Sequence, residues 1–219
     1  MGLNLFERIE NIKSYKSGKL KEDYGDFFSK YSTYEGYLSR LGALADKYDF
    51  VSNTFDKGSS EGRVIPVSRV SSDNTKKSNR FMFTGLMHGR EFIGGEVCMG
   101  ILEKICSEQN KKILENAELY FIPVVNPDAL VRNVVTVNSG SHYGTLQRQN
   151  ANGVDLNRNF QDRFDDRAWT NKISIPILNE EYSGKHPFSE AESCFLRDFV
   201  NSKDITGAVS FHSYGEVIL

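Results

Sequence analysis

Cysteine is scarce in this chain: three residues, at 98, 106 and 194, form an odd count without metal-like pairing. That excludes a disulfide-stapled scaffold and reads as buried, reduced thiols. Long apolar runs are missing as well, and no stretch approaches the roughly 20 residues that cross a bilayer. Nor is there an excess of positive charge. Lys and Arg number 27 against 29 Asp and Glu, a net charge of −2, which argues against nucleic acid as a partner. The opening MGLNLFERIENIK carries acidic groups early and has no apolar signal core, and no Asn-x-Ser/Thr site occurs. If Met1 is the true start, a cytosolic, reduced protein is favoured. Histidine is also rare, with four residues at 88, 142, 186 and 212, so each can be weighed on its own.

What is present is enough for one large domain with a real core. Residues 1–31 are polar and mixed, and read as a helical arm. Ser32 and Glu35 read as a capping box. After them Tyr34, Tyr37, Leu38, Leu41, Leu44, Ala45 and Tyr48 recur at helical spacing. Strands are expected around 50–56 and 63–70, separated by the turn-rich DKGSSEGR. RFMFTGL reads as a buried strand, FIGGEVCMGILEKICSEQ as the helix after it, AELYFIPVV as another strand, and NPD as a turn. Residues 126–187 show little periodicity, and so long an irregular stretch in a compact domain points to function. SEAESCFLRDFVNS reads as a helix and ITGAVSFHSYGEVIL as a strand running to the chain end. The alternation predicts an α/β fold, a mixed and mainly parallel sheet with helices on both faces. Ligands in such sheets bind beyond the carboxyl ends of the strands.

Two places carry chemistry. In GLMHGREF, His88 and Glu91 sit three residues apart at a strand–helix junction among glycines, a spacing that suits two ligands of one metal ion. His142 lies in a Ser/Gly loop and His186 before a proline, and both read as solvent-facing. His212 follows the apolar AVSF and is the natural third ligand, or else a core histidine bonded to a backbone carbonyl. In GVDLNRNF, Asp155, Asn157 and Arg158 share what reads as a buried loop, where each needs a polar partner. Arg158 beside Asn157 suits a clamp for the anionic end of a substrate, because a guanidinium matches a carboxylate in two contacts. The other reading is an internal Arg158–Asp155 ion pair. Arg148, in LQRQN, is a second cation placed to face developing negative charge. Glu96 and Glu103, on the helix after GLMHGREF, read as solvated.

TGLMHGREF, YFIPVVNPDA, LQRQN, GVDLNRNF, YSGKHPFSEAES and AVSFHSY occur in the order found in the zinc metallocarboxypeptidases related to carboxypeptidase A. The resemblance extends over about residues 32–219, and six motifs in order are a strong signal. It implies a partial catalytic domain over 32–219, incomplete at its C-terminus, holding one Zn²⁺ per chain and acting on peptide or protein C-termini. It implies His88, Glu91 and His212 as the zinc ligands; the His₂Glu set is that of carboxypeptidase A itself, taken over from the family and not predicted. It further implies Asp155 as the carboxylate orienting a ligand imidazole, Asn157 and Arg158 as the holders of the substrate carboxylate, and Arg148 as the oxyanion-stabilising arginine. The family's glutamate base and a substrate-facing tyrosine are expected beyond Leu219, so the 219-residue chain is expected to be inactive by itself, poorly soluble or unstable. Glu216 could replace the base only if Gly215 bends the strand, since four extended residues put it roughly 13 Å from His212. Two other readings stay open. One is a pseudoenzyme that binds zinc and peptide C-termini without hydrolysis. The other is an aspartoacylase-type zinc amidohydrolase, which shares His-x-x-Glu and DLNR.

Overall fold

In a computed structural model of the chain, residues 31–72, 77–139, 146–162, 164 and 180–213 are described. The arm expected over 1–31 lies outside them apart from Tyr31, as do His142 and Glu216. Helix α1 (Tyr34–Lys47) leads into strands β1 (Val51–Lys57), β2 (Val64–Val70) and β3 (Asn79–Thr84). Helix α2 (Phe92–Cys106), a 3₁₀ segment (Glu108–Glu115) and strand β4 (Ala117–Ile122) follow. Helix α3 (Pro127–Asn138), a 3₁₀ turn (Leu156–Arg158), helix α4 (Ala191–Lys203) and strand β5 (Gly207–Ser210) complete the order.

The sheet runs β1-β2-β4-β3-β5. β1–β2 and β2–β4 pair antiparallel, and β4–β3 and β3–β5 parallel, so the sheet is mixed with its pairings evenly divided. β4 is central, and all six of its residues are buried. Successive side chains of a strand point to opposite faces. Leu119 and Phe121 accordingly join a core with α1, α2 and α3, through Leu41, Met99, Leu102 and Val134. Tyr120 and Ile122 join a second core with Ile65, Val67, Leu156 and Leu196 of α4. Helices therefore cover both faces. Cys98 and Cys106 are buried and unbridged, and burial pushes the Cys98 thiol well above its ordinary value. No helix among the described residues is long and apolar enough to cross a membrane.

Several local expectations are corrected. α1 is capped by Thr33, whose hydroxyl accepts from Gly36 N at 3.2 Å, not by a Ser32–Glu35 box. Ser32 N instead donates to Glu96 at 2.6 Å. Glu96 is half-buried and paired with Arg40, so it is not simply solvated, whereas Glu103, which Arg40 also reaches, is exposed as expected. NPD opens a helix: Asn126 caps α3 through a bond from Ala129 N, and Pro127 occupies the first turn, where its missing N–H costs nothing. The stretch 126–187 therefore begins with twelve helical residues. β5 is four residues long and residues 211–213 are not strand; the remainder of the strand expected there, 214–219, lies outside the described residues.

Candidate metal centre

β3 and β5 run parallel, with Thr84 opposite Ser210, so their carboxyl ends lie on the same edge of the sheet. Four residues beyond Thr84 the chain reaches His88, and two beyond Ser210 it reaches His212. The turn after β3 is tight. Leu86 is buried in the left-handed region at φ 47°, a conformation that costs a bulky residue of order 1–3 kcal/mol. It is held there because Asn126 N donates to Leu86 O at 3.0 Å and Val125 N to Gly85 O at 3.1 Å. The start of α2 then meets the end of β5 at Gly94, where an added Cβ would stand 2.5 Å from Phe211 O. That close approach carries His212, the next residue, towards Glu91 at the foot of the same helix.

Glu91 occupies the N-cap position of α2 yet makes no capping bond with its side chain. Its carboxylate is turned to the imidazoles instead: Oε1 lies 2.8 Å from His88 Nδ1, and Oε2 lies 2.9 Å from His212 Nδ1. The two Nδ1 atoms face each other at 3.2 Å. Ligand atoms of all three residues fall within 4.8 Å of one another. Four-coordinate zinc with bonds of about 2.0–2.1 Å spaces its ligand atoms about 3.3 Å apart, so the group needs only small adjustments to close on an ion. The donor chemistry agrees, since two imidazole nitrogens and a carboxylate oxygen are a set that zinc takes. The residues fit a zinc ion.

The surroundings orient both imidazoles. His88 Nε2 lies 3.0 Å from Asp155 Oδ1. Asp155 is fully buried and is itself held by the Nε and Nη2 of Arg148, at 3.0 and 2.9 Å, and by Asn157 N. Ser210 Oγ lies 3.1 Å from His212 Nε2. In both imidazoles Nε2 is occupied by an oxygen partner and Nδ1 turns to the centre, the arrangement that orients metal-binding histidines. Burial alone would lower the His88 pKa, but its bonds to Asp155 and Glu91 outweigh that and raise it. Burial opposes charge on Glu91 as well, yet His212 and His88 hold its carboxyl down to about 2. Asp155 is lowered in the same way against its burial, by His88 and Arg148.

The remaining residues singled out by sequence are near but arranged differently. Of the polar residues of the DLNR loop only Asp155 is buried; Asn157 is exposed and Arg158 half-buried. Arg158 does not pair with Asp155. Its Nη2 donates to Glu181 at 3.0 Å. Arg148 faces Asp155 and, at 3.5 Å, Glu91. His186 is exposed, as expected, and outside the cluster. His212 is no core histidine, because 31% of its side chain is accessible. Sequence reasoning missed Ser210, whose position two residues before His212 was the available signal. It also missed Asn159, a fully buried amide that donates to Ser183 O and accepts from Glu190 N, pinning the loop. Arg90, Glu180 and Glu181 were missed too. Arg90 grips Glu180 through both Nη atoms, at 2.8 and 2.9 Å.

A family model described as zinc carboxypeptidase matches residues 37–219. Mast cell carboxypeptidase A of Mus musculus is 27% identical over 202 residues, 88% of this chain and 47% of its own length. Carboxypeptidase A1 of Mus musculus is 28% identical over 227 residues, 98% of this chain and 52% of its own. Among solved structures, carboxypeptidase A from Helicoverpa armigera superposes with a TM-score of 0.70 at 26% identity, covering 86% of this chain and 47% of that one. The chain thus spans about half the length of the curated relatives it matches.

Proposed function

Because the chain belongs to the zinc carboxypeptidase family, we propose that the protein it represents removes C-terminal residues from peptides, with one zinc ion held by His88, Glu91 and His212. One observation carries this reading: two imidazole Nδ1 atoms and a carboxylate converge within 4.8 Å at the carboxyl ends of β3 and β5. When bound, zinc supplies a Lewis acid for the scissile carbonyl and lowers the pKa of water to about 7. Asp155 accepts from His88 Nε2 and so keeps Nδ1 free of its proton for the metal. Arg148, braced on Asp155, holds fixed positive charge beside the ligands, suited to the oxyanion that develops during peptide hydrolysis. Asn157 and Arg158 lie one 3₁₀ turn from Asp155, on the solvent side, and take the substrate's terminal carboxylate.

Zinc stoichiometry is the test. One zinc per chain is expected for the 219-residue protein, and full occupancy surviving in both His88→Ala and Glu91→Gln would overturn the ligand assignment.

A second reading, a protein that binds zinc and peptide C-termini without hydrolysing them, draws on the engagement of the cluster's carboxylates. Glu91 is committed to the imidazoles and Asp155 to His88 and Arg148. Neither is disposed to act as a base on water, so the 219-residue chain is proposed to bind zinc and hydrolyse poorly. Turnover of an N-acylated dipeptide by this chain, abolished by zinc chelation and restored by zinc, would remove that reading.

A further inference from the structure

Glu180 and Glu181 precede Tyr182, whose carbonyl accepts from Asp155 N at 2.8 Å. That bond fastens the segment beside the metal centre. From it the two adjacent carboxylates spread to two different arginines. Glu180 takes Arg90, the residue just before the ligand Glu91, in a two-point contact, and Glu181 takes Nη2 of Arg158 at 3.0 Å. Glu180 lies close enough to the centre to feel the charges of Arg148 and Asp155. Both glutamates are more than half exposed, whereas their arginines are about three-quarters covered. The arginines are therefore the enclosed members of each pair, and the carboxylates the exposed ones. A carboxylate on Arg158 is what a peptide C-terminus would also present.

We propose that Glu181 is a built-in competitor for the substrate's terminal carboxylate: it occupies Arg158 in the free protein and must be displaced for a peptide C-terminus to dock. The inference rests on Arg158 being the carboxylate clamp. Its size is modest, because an exposed ion pair restrains a group weakly, and displacing it costs about two- to fivefold in apparent affinity.

The experiment measures binding of N-acetyl-Gly-Gly-Phe and of its carboxamide to the zinc-loaded 219-residue chain. Glu181→Gln is expected to tighten the free acid about two- to fivefold and leave the amide unchanged. Glu180→Gln removes the same charge one residue away but leaves Arg158 paired, and is expected to change the free acid less. Arg158→Ala should erase the preference for acid over amide. Weaker acid binding in Glu181→Gln would mean that Glu181 positions Arg158, and would overturn the proposal. Equal tightening in Glu180→Gln and Glu181→Gln would reduce the effect to general charge and overturn it as well. If wild type shows no acid preference, or Arg158→Ala keeps it, the clamp reading itself fails and takes the competitor with it. Loss of the preference in Arg158→Ala with no change in Glu181→Gln would sink the competitor alone.

Discussion

β4 and β5 belong to one sheet and run in the same direction, yet their surroundings are opposite. Every residue of β4 is buried between two helical layers, whereas Ala208, Val209 and Ser210 of β5 are exposed. Among the described residues β5 pairs with β3 alone, and Phe81, Ile93 and Val97 are also exposed. The proposed metal centre spans that divide. His88, Glu91 and Asp155 sit on the packed side, nearly inaccessible, and His212 hangs from the open edge. The rigid half therefore arrives as a preformed pair of ligands, and the third depends on how well β5 is held.

The contrast can be broken from the packed side with the largest effect. Phe121→Ala in β4 should cost about 3–5 kcal/mol in denaturant unfolding, because the ring is fully buried and stacked on Phe83. His88→Ala should lose zinc and also destabilise the fold by about 3 kcal/mol or more, since it leaves the buried carboxylates of Glu91 and Asp155 without their shared partner. His212→Ala should lose zinc while leaving the melting temperature of the metal-free chain nearly unchanged. Equal destabilisation by the two substitutions would contradict the division.

Gly94→Ala tests the link between the halves. Its methyl group would force Phe211 O from 2.5 Å, at about 1–3 kcal/mol in stability, and zinc affinity should fall because His212 moves with it. Acid provides a milder handle. Glu91 has its pKa lowered to about 2, so its contribution in the metal-free chain is complete above the ordinary carboxylate range and lost as pH falls from about 4.5 towards 2. His88, with a raised pKa, acts in the other direction: its contribution is complete below about 6.5 and declines as pH rises through its folded value. Metal-free stability measured from pH 8 to pH 2 should therefore pass through a maximum between those windows, and Glu91→Gln should flatten the acid limb. The smallest effect is expected at the open edge, where Val209→Lys should change stability by less than about 0.5 kcal/mol but raise solubility.

The sequence was most informative where physics is local. The amphipathic helix at 34–47, the apolar strands and the His88–Glu91 pair were visible because burial imposes a period or a spacing that needs no tertiary knowledge. Caps were less visible. Ser32 and Glu35 had the right spacing for a box, but Glu96 draws Ser32 N away and Thr33 caps instead. α3 was hidden because Asn126-Pro127-Asp128 reads equally well as a turn; what makes it a helix start is the docking of Asp128 on Ser59 and Arg63, far apart in the chain. The partners of Arg158 and Arg90 were hidden for the same reason. Glu180 and Glu181 lie more than twenty residues from either arginine, and the Tyr182–Asp155 and Ser183–Asn159 bonds bring them to the centre. His212 was read as part of a strand but lies two residues past the end of β5, because AVSFH carries the same alternation whether or not its far end is paired.

The central claim is that one ion is shared by the packed and the open sides of the sheet. X-ray absorption at the zinc edge on the 219-residue chain, in wild type and in His212→Ala, examines it directly. The account predicts two imidazole nitrogens and a carboxylate in wild type at about 2.0–2.2 Å, with one imidazole lost and affinity sharply lowered in His212→Ala. An unchanged spectrum and unchanged affinity in His212→Ala would contradict it.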